Sequence, residues 1–544
     1  ASFLLGQVQT ANYQIPAFTT WNGGYHAGYI NDDFKVTTRL TLTLGLRFDY
    51  QVAFKERYNR FSTFDPTAPN PGAGNIPGAI VYASSSNPTF DHPPKDAWGP
   101  RFGFAYRLGN RTALRGGYGM YYSGVPFTDG ATPITGFQTN PTAPNLTNGL
   151  SPAFSLDAGF PRNLIITPPQ TNAAVANGTG PIGYQGSANT LPRYQNWSFS
   201  VQHQLTNSML VDVTYTGNHG TRLPMSGTFL GIPQNMNDPK ILSLGTAVLQ
   251  SDINSALAKQ AGINPPYPGF TGIVAQALRP WPQYQGINWH SWPIGKSIYH
   301  SFQARVDKRF SNGLLFRVFY TKSKLMNNAA DNGYNNSSAN GLQNPVDARP
   351  EWSTSADDVP NTFVASWSYE LPLGKNRKED LVKKLISGWT LAGIWRYESA
   401  RPLTITMTND MGGLLFNGAK RPNRVAGVDA ITPQGDSSSF DPNANVFLNR
   451  AAYTDPGPLT FGNAPPRDPH VRGFQNFVED ISIFKVTPFG EHFRWRLEAQ
   501  GGNFTNRTVF CDPNTNWSAG AAFGQVSLQC NQPRSIQLGT KIEF

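Results

Sequence analysis

From Arg39 to Tyr50 the chain alternates without a break. Leu40, Leu42, Leu44, Leu46, Phe48 and Tyr50 share one parity, and Arg39, Thr41, Thr43, Gly45, Arg47 and Asp49 share the other. A period of two over twelve residues predicts a strand whose faces meet different surroundings. The pattern recurs at 26–36, 100–108, 111–122, 196–205, 209–217, 301–310, 313–323, 361–371, 388–399, 477–486, 492–500 and 534–544. About thirteen strands are therefore expected.

A strand of this kind can face a protein core in a sandwich or lipid in a barrel, and the connections decide between them. The short ones lie near 37, near 109, and at 206–208, 311–313, 373–388 and 487–491. The long ones lie near 51–97, 124–192, 218–297, 326–359, 403–475 and 505–533, and the two kinds alternate throughout. A sandwich has no reason to gather every long loop at one end. An outer-membrane barrel does, with short periplasmic turns and long extracellular loops. The polar parity also carries charge on strand after strand: Arg47, Asp49, Arg305, Asp307, Arg317, Glu370, Arg396, Glu398, Arg494, Arg496 and Glu498. A wet lumen tolerates these, with cross-strand ion pairs expected among them. The expected fold is all-β: an antiparallel transmembrane β-barrel of outer-membrane type. Residues 1–22 read as an extracellular segment or truncated start, and 23–544 as barrel with loops.

Composition is consistent with that reading. Charged residues make up 14% of the chain, well below the roughly 25% usual in soluble domains. Aromatics reach 12%, yet mean hydropathy is −0.39 and no apolar run is long enough for a membrane helix. The net charge is +10, but the basic residues cluster only in "KNRKEDLVKK", Lys375 to Lys384, so no nucleic-acid partner is expected. Cys511 and Cys530 lie close together in one polar segment, which suits an oxidising compartment and one loop-closing disulfide. The opening "ASFLLGQVQT" lacks the basic start and apolar core of a signal peptide, so the chain reads as mature or incomplete.

Candidate chemistry changes the picture little. The histidines are scattered without metal spacing, and "RGGYG" lacks the strand–helix context of a phosphate loop. "DPNTN" (512–516) and the Asn-rich 326–344 offer oxygen ligands, but in no calcium-loop order, and read as solvated loop. No catalytic constellation, metal site or cofactor is expected. The long loops are rich in aromatics, above all "RPWPQYQGINWHSWPIG" (279–295). Its Trp281, Tyr284, Trp289 and Trp292 are candidate ligand contacts, with loop-on-loop packing the alternative.

The last strand alternates Ile536, Leu538, Ile542 and Phe544 and stops on an aromatic. It looks like the signal read by the barrel-assembly machinery, and it would set Phe544 in the periplasm. "YINDDFKVTTRLTLTLGLRFDY" resembles a hallmark of Oar-like TonB-dependent receptors, roughly Q-D-D-W-K-V-T-x-x-L-T-L-N-L-G-L-R-Y. "GPRFGFAYRLGNRTALRGGYGMYY", "RYQNWSFSVQHQL", "YHSFQARVDKRFSNGLLFRVFYTKSK" and "ISGWTLAGIWRYESARPLTI" follow in that family's order, so the likeness covers nearly the whole chain from Tyr25. The family's N-terminal β domain, TonB box and plug are not recognisable.

The resemblance implies a Gram-negative outer-membrane receptor set in lipid and lipopolysaccharide. Such a receptor captures a bulky, unidentified extracellular substrate with its loops and imports it by energy-coupled gating, the TonB complex acting through a plug absent from this chain. An odd strand count leaves edges that cost too much in lipid, so these strands are expected to belong to a larger barrel of about 22. A passive porin-like channel and a surface adhesin or scaffold are the alternatives, and an enzyme is not expected.

Overall fold

The computed structural model describes residues 3–90, 92–123, 134–147, 150–180, 182–184, 190–223, 232–233, 235–289, 293–328, 342–344, 346–378, 380–435, 439–489 and 493–544. Thirteen long strands form one antiparallel sheet. They are β1 (Trp21–Lys35), β2 (Leu40–Glu56), β3 (Ala97–Arg107), β4 (Thr112–Tyr122), β5 (Arg193–Thr206), β6 (Met209–Leu223), β7 (Gly295–Ser311), β8 (Leu314–Asn327), β9 (Asn361–Glu370), β10 (Trp389–Glu398), β11 (Asn476–Phe489), β12 (Phe493–Gly502) and β13 (Ser535–Glu543). Each expected strand is present, most of them longer than the alternation alone marks. Every long strand pairs with its neighbours in sequence, so the order is a simple meander, and the two-residue strand Ser353–Thr354 adds to β8. Among the described residues no pairing joins β1 to β13, and the sheet is open.

Register puts like with like. Leu44 lies opposite Phe102, Phe102 opposite Tyr118, Tyr118 opposite Trp197, Phe199 opposite Tyr215 and Tyr215 opposite Phe302. Further along, Tyr320, Phe363, Tyr397 and Phe477 stand opposite one another in turn. A one-residue slip would exchange the two faces on any strand, so the apolar parity fixes the register. That face is bare: Leu44, Phe102, Phe199, Tyr215 and Phe302 are all exposed. A row of uncovered aromatics one strand apart suits lipid, not water.

At one end the connections are tight. Asn312 and Gly313 both take positive φ, 53° and 78°, and Ser311 pairs with Leu314. This is the two-residue turn that the twist of a hairpin favours. At the other end the long loops are folded rather than merely solvated. Ser62–Asn70 and Ile76–Tyr82 form a hairpin, and Ile182–Tyr184, Ile287–Trp289 and Ile232–Pro233 form a small sheet. Short helices occupy Gly245–Leu249, Ala256–Gln260 and Val274–Ala277. Within 1–22, Gln7–Val8 and Ala11–Asn12 pair with strands at 154–155 and 142–143 of the loop between β4 and β5.

Candidate functional site

The loops at the long-connection end carry hydrophobic cores of their own. In the first, Phe64 and Ile80 from the β2–β3 connection meet Ala176 and Ile182 from β4–β5 and Tyr284 and Ile287 from β6–β7. In the second, Leu249, Ile253, Phe270 and Val274 from β6–β7 close on Leu414 from β10–β11. The third joins Leu403, Phe447, Leu448 and Val471 from β10–β11 to Phe523 and Val526 from β12–β13. Each core draws on connections distant in sequence, so together they form a roof rather than a set of independent loops.

Buried polar side chains tie the cores together. Asn237 Nδ2 donates to Ala275 O and Leu414 O, both at 2.8 Å. Arg279 donates to Asn235 O (2.6 Å), Gln276 Oε1 (2.8 Å) and Gln285 O (2.5 Å), with its guanidinium carbon 3.6 Å from the centre of the Phe416 ring. Burial lowers its pKa to about 10, so it stays a cation at neutral pH. Arg421, buried, holds the half-buried Glu351 through Nη1 at 3.1 and 3.0 Å, and so links β10–β11 to β8–β9. Gly462 sits where any Cβ would strike the Arg421 carbonyl, so close approach of the two segments requires glycine there.

The four aromatic candidates fall into different places. Tyr284 is fully buried: its hydroxyl lies 3.1 Å from Asn70 Nδ2 and 3.3 Å from Gly78 O, and burial lifts its pKa to about 12. Its role in this structure is loop packing, because no solvent reaches the ring. Trp281 is half-buried edge-on to Phe64, with ring centres 5.0 Å apart. Trp289 ends a strand of the small loop sheet, and Trp292 lies outside the described residues. The Asn-rich segment also lies largely outside them. Cys511 and Cys530 are joined in a disulfide, with Cα atoms 4.9 Å apart, beside the third core. The sequence missed the cores themselves, since contacts such as Phe64 with Tyr284 leave no local pattern.

The polar parity carries the expected charges, but most pairs run along a strand rather than across. Arg47–Asp49 (2.8 Å), Arg305–Asp307 (2.9 Å), Arg396–Glu398 (2.5 Å) and Arg496–Glu498 (2.7 Å) are same-strand pairs two residues apart. Residues i and i+2 share a face, and a long arginine reaches a short acid there without crossing a ladder. Cross-strand pairs join Arg317 to Asp307 (2.5 Å) and Arg305 to Asp212 (3.7 Å). Glu370 and Arg494 make no ion pair among the described residues. A hollow of about 770 Å³ lies along this polar face between β7 and β13, lined by Asp307, Arg317, Ser366, Asp480 and Gln500 among others. In β13, Ile536, Leu538 and Ile542 project exposed from the sheet edge, with Phe544 just beyond the strand. No cluster of metal-binding side chains occurs among the described residues.

A meander with one bare aromatic face, one charged hollow face and all long loops at one end defines an outer-membrane barrel. The chain matches the family described as outer membrane beta barrel domain over residues 1–537, and it belongs to that family. Its location is accordingly the bacterial outer membrane. No curated protein matches the chain. Among solved structures it is similar to the siderophore receptor PirA from Acinetobacter baumannii (10% identity, 96% of this chain and 46% of that one, TM-score 0.40). It is also similar to the FrpB iron transporter from Neisseria meningitidis (12%, 97% and 46%, 0.39) and the ferripyoverdine receptor of Pseudomonas aeruginosa (9%, 96% and 39%, 0.39). The chain spans about 40% of the length of the first of the similar structures.

Proposed function

We propose that this protein is the barrel of a TonB-dependent receptor whose loops capture a bulky extracellular substrate. The observation that carries this reading is the roof. All six long connections and residues 7–15 fold together at one end of the sheet, at the cost of ordering more than a hundred residues. Long loops of this kind are usually either functional or disordered, and the described residues of these pack into shared cores. A broad roof offers contact area to a peptide, glycan or protein, whereas a small ion needs none of it. In this reading the long-loop end is extracellular, the apolar face meets lipid and the charged face lines the lumen. Release into the periplasm is energy-coupled through the TonB complex. The assembly machinery reads the exposed Ile536, Leu538, Ile542 and Phe544. The passive channel is the second reading, favoured by the hollow beside Arg317.

Cells carrying the full-length receptor are offered fluorescent peptides and glycans, with and without functional TonB. Periplasmic accumulation of one probe that needs both TonB and an intact roof, and is lost in Arg279→Ala, supports capture and gated import. Accumulation independent of TonB establishes the channel instead. Surface retention with no accumulation establishes the adhesin.

A further inference from the structure

The connection between β9 and β10 is the longest at the tight-turn end, and it holds a helix, Leu381–Ile386. Asp380 caps it, accepting from the Lys383 backbone N–H at 2.6 Å. Leu381, Val382, Leu385 and Ile386 fall at i, i+1, i+4 and i+5, which places them on one side of the helix and Lys383 and Lys384 on the other. The apolar side is unburied: Leu381 is 73% exposed and Leu385 62%.

The place where the helix docks says what covers it. Lys485 shares the parity of Ile481 and Ile483, the apolar face of β11, and it is the one lysine there. Its Nζ donates to Lys384 O (2.6 Å), Leu385 O (3.1 Å) and Ser387 O (2.5 Å), so it caps the C-terminus of the helix. Trp389, directly opposite Lys485 and also on the apolar face, donates Nε1–H to Leu385 O at 3.1 Å. The helix is thus fastened to the lipid side of the sheet near its tight-turn rim, and its bare leucines continue the surface that meets acyl chains. Residues 375–384 include five basic and two acidic side chains, so the connection is cationic. A short amphipathic helix at this depth, apolar side in the acyl boundary and lysines among headgroups, is an interfacial anchor, and a cationic one selects anionic lipid.

We propose that Leu381–Ile386 and its basic flank bind anionic phospholipid headgroups of the periplasmic leaflet and fix the depth of β9–β11 in the membrane. This rests on the orientation given above, with tight turns in the periplasm.

The test uses these 544 residues, whose two cysteines are bonded to each other. Leu385→Cys, Leu381→Cys and, on the roof, Asn443→Cys are each labelled with an environment-sensitive fluorophore. The proteins are then placed in phosphatidylethanolamine vesicles with or without phosphatidylglycerol, the lipids carrying bromine high on the acyl chain. Folding of each variant is verified by heat-modifiability on gels. The helix labels should be quenched at least twofold more than the Asn443 label and further quenched by phosphatidylglycerol. Lys383→Gln/Lys384→Gln should abolish that further quenching. Helix labels that lipid bromine leaves untouched while aqueous iodide reaches them overturn the proposal. In intact cells an impermeant maleimide should modify Asn443→Cys alone. Modification of the helix cysteines there overturns the orientation, and the leaflet assignment with it.

Discussion

Tyr284 shows how a side chain's type and its role separate. In sequence it stands in an aromatic loop with the composition of a binding surface. In the structure the ring is walled in by Phe64, Ile80 and Ile287, and its hydroxyl sits between Asn70 and Gly78. Tyr284→Phe should cost the roof about 1 kcal/mol, the net worth of such hydrogen bonding. Tyr284→Ala should cost about 3–5 kcal/mol through loss of a large buried side chain. Limited proteolysis of the loops should report both changes, while heat-modifiability, which reads the strands, stays unaltered. Asp512 gives a test by pH. Burial lifts its carboxyl above the ordinary 3.8, Arg401 opposing part of the rise. Below that pH both folded and unfolded chains hold the proton, and nothing is lost. As pH rises through 3.8 the unfolded chain ionises first, and a penalty on folding grows until the folded pKa is passed. Asp512→Asn should therefore leave the loop's melting point unchanged at pH 3 and raise it at pH 7, followed by Trp517 fluorescence.

At the scale of the strand, sequence and structure coincide. Alternation is a local property, because each residue's face is set by its parity, and most of the strands carry it, β1 least, where Asp32 stands opposite Leu44. Leu44 and Thr43 test the assignment of faces. Leu44→Arg places a cation against lipid and should cost on the order of 2–4 kcal/mol near the membrane midplane. Thr43→Arg points to the polar face, where Asp33 already accepts from the Thr43 hydroxyl at 2.6 Å, and should cost little. Equal loss of the folded gel band in the two variants would refute the assignment. The Leu381–Ile386 helix was half legible. Asp380 followed by apolar residues at helical spacing is a local signal, but its docking on Lys485 is a contact across a hundred residues. Ion pairs divide the same way: parity gives the face, whereas Arg305 choosing Asp307 on its own strand depends on side-chain reach.

The whole molecule is a sheet written locally and a roof written non-locally. Nothing near Glu351 announces Arg421, and nothing near Asn237 announces Leu414. The roof therefore emerges only when the strands bring its parts together. The disulfide strengthens one corner of it. Cys511 and Cys530 are 19 residues apart, and closing such a loop stabilises by roughly 3 kcal/mol in the chain-entropy model. Cys511→Ser/Cys530→Ser should loosen the third core, seen as faster proteolysis at 512–526, with the second core around Leu249 protected as before. Equal loosening of both would mean that the roof melts as one unit.

That the roof joins distant connections also sets an order of events during biogenesis. Phe64 cannot meet Tyr284, nor Leu249 meet Leu414, until the hairpins between them have been laid side by side. Closing so long a span of free chain is entropically slow, and a pre-formed sheet shortens it. Until then the residues of all three cores travel bare. The chain in transit is therefore stickier than the finished barrel. Roof closure follows formation of the sheet, and protease resistance in the loops should appear after the folded gel band.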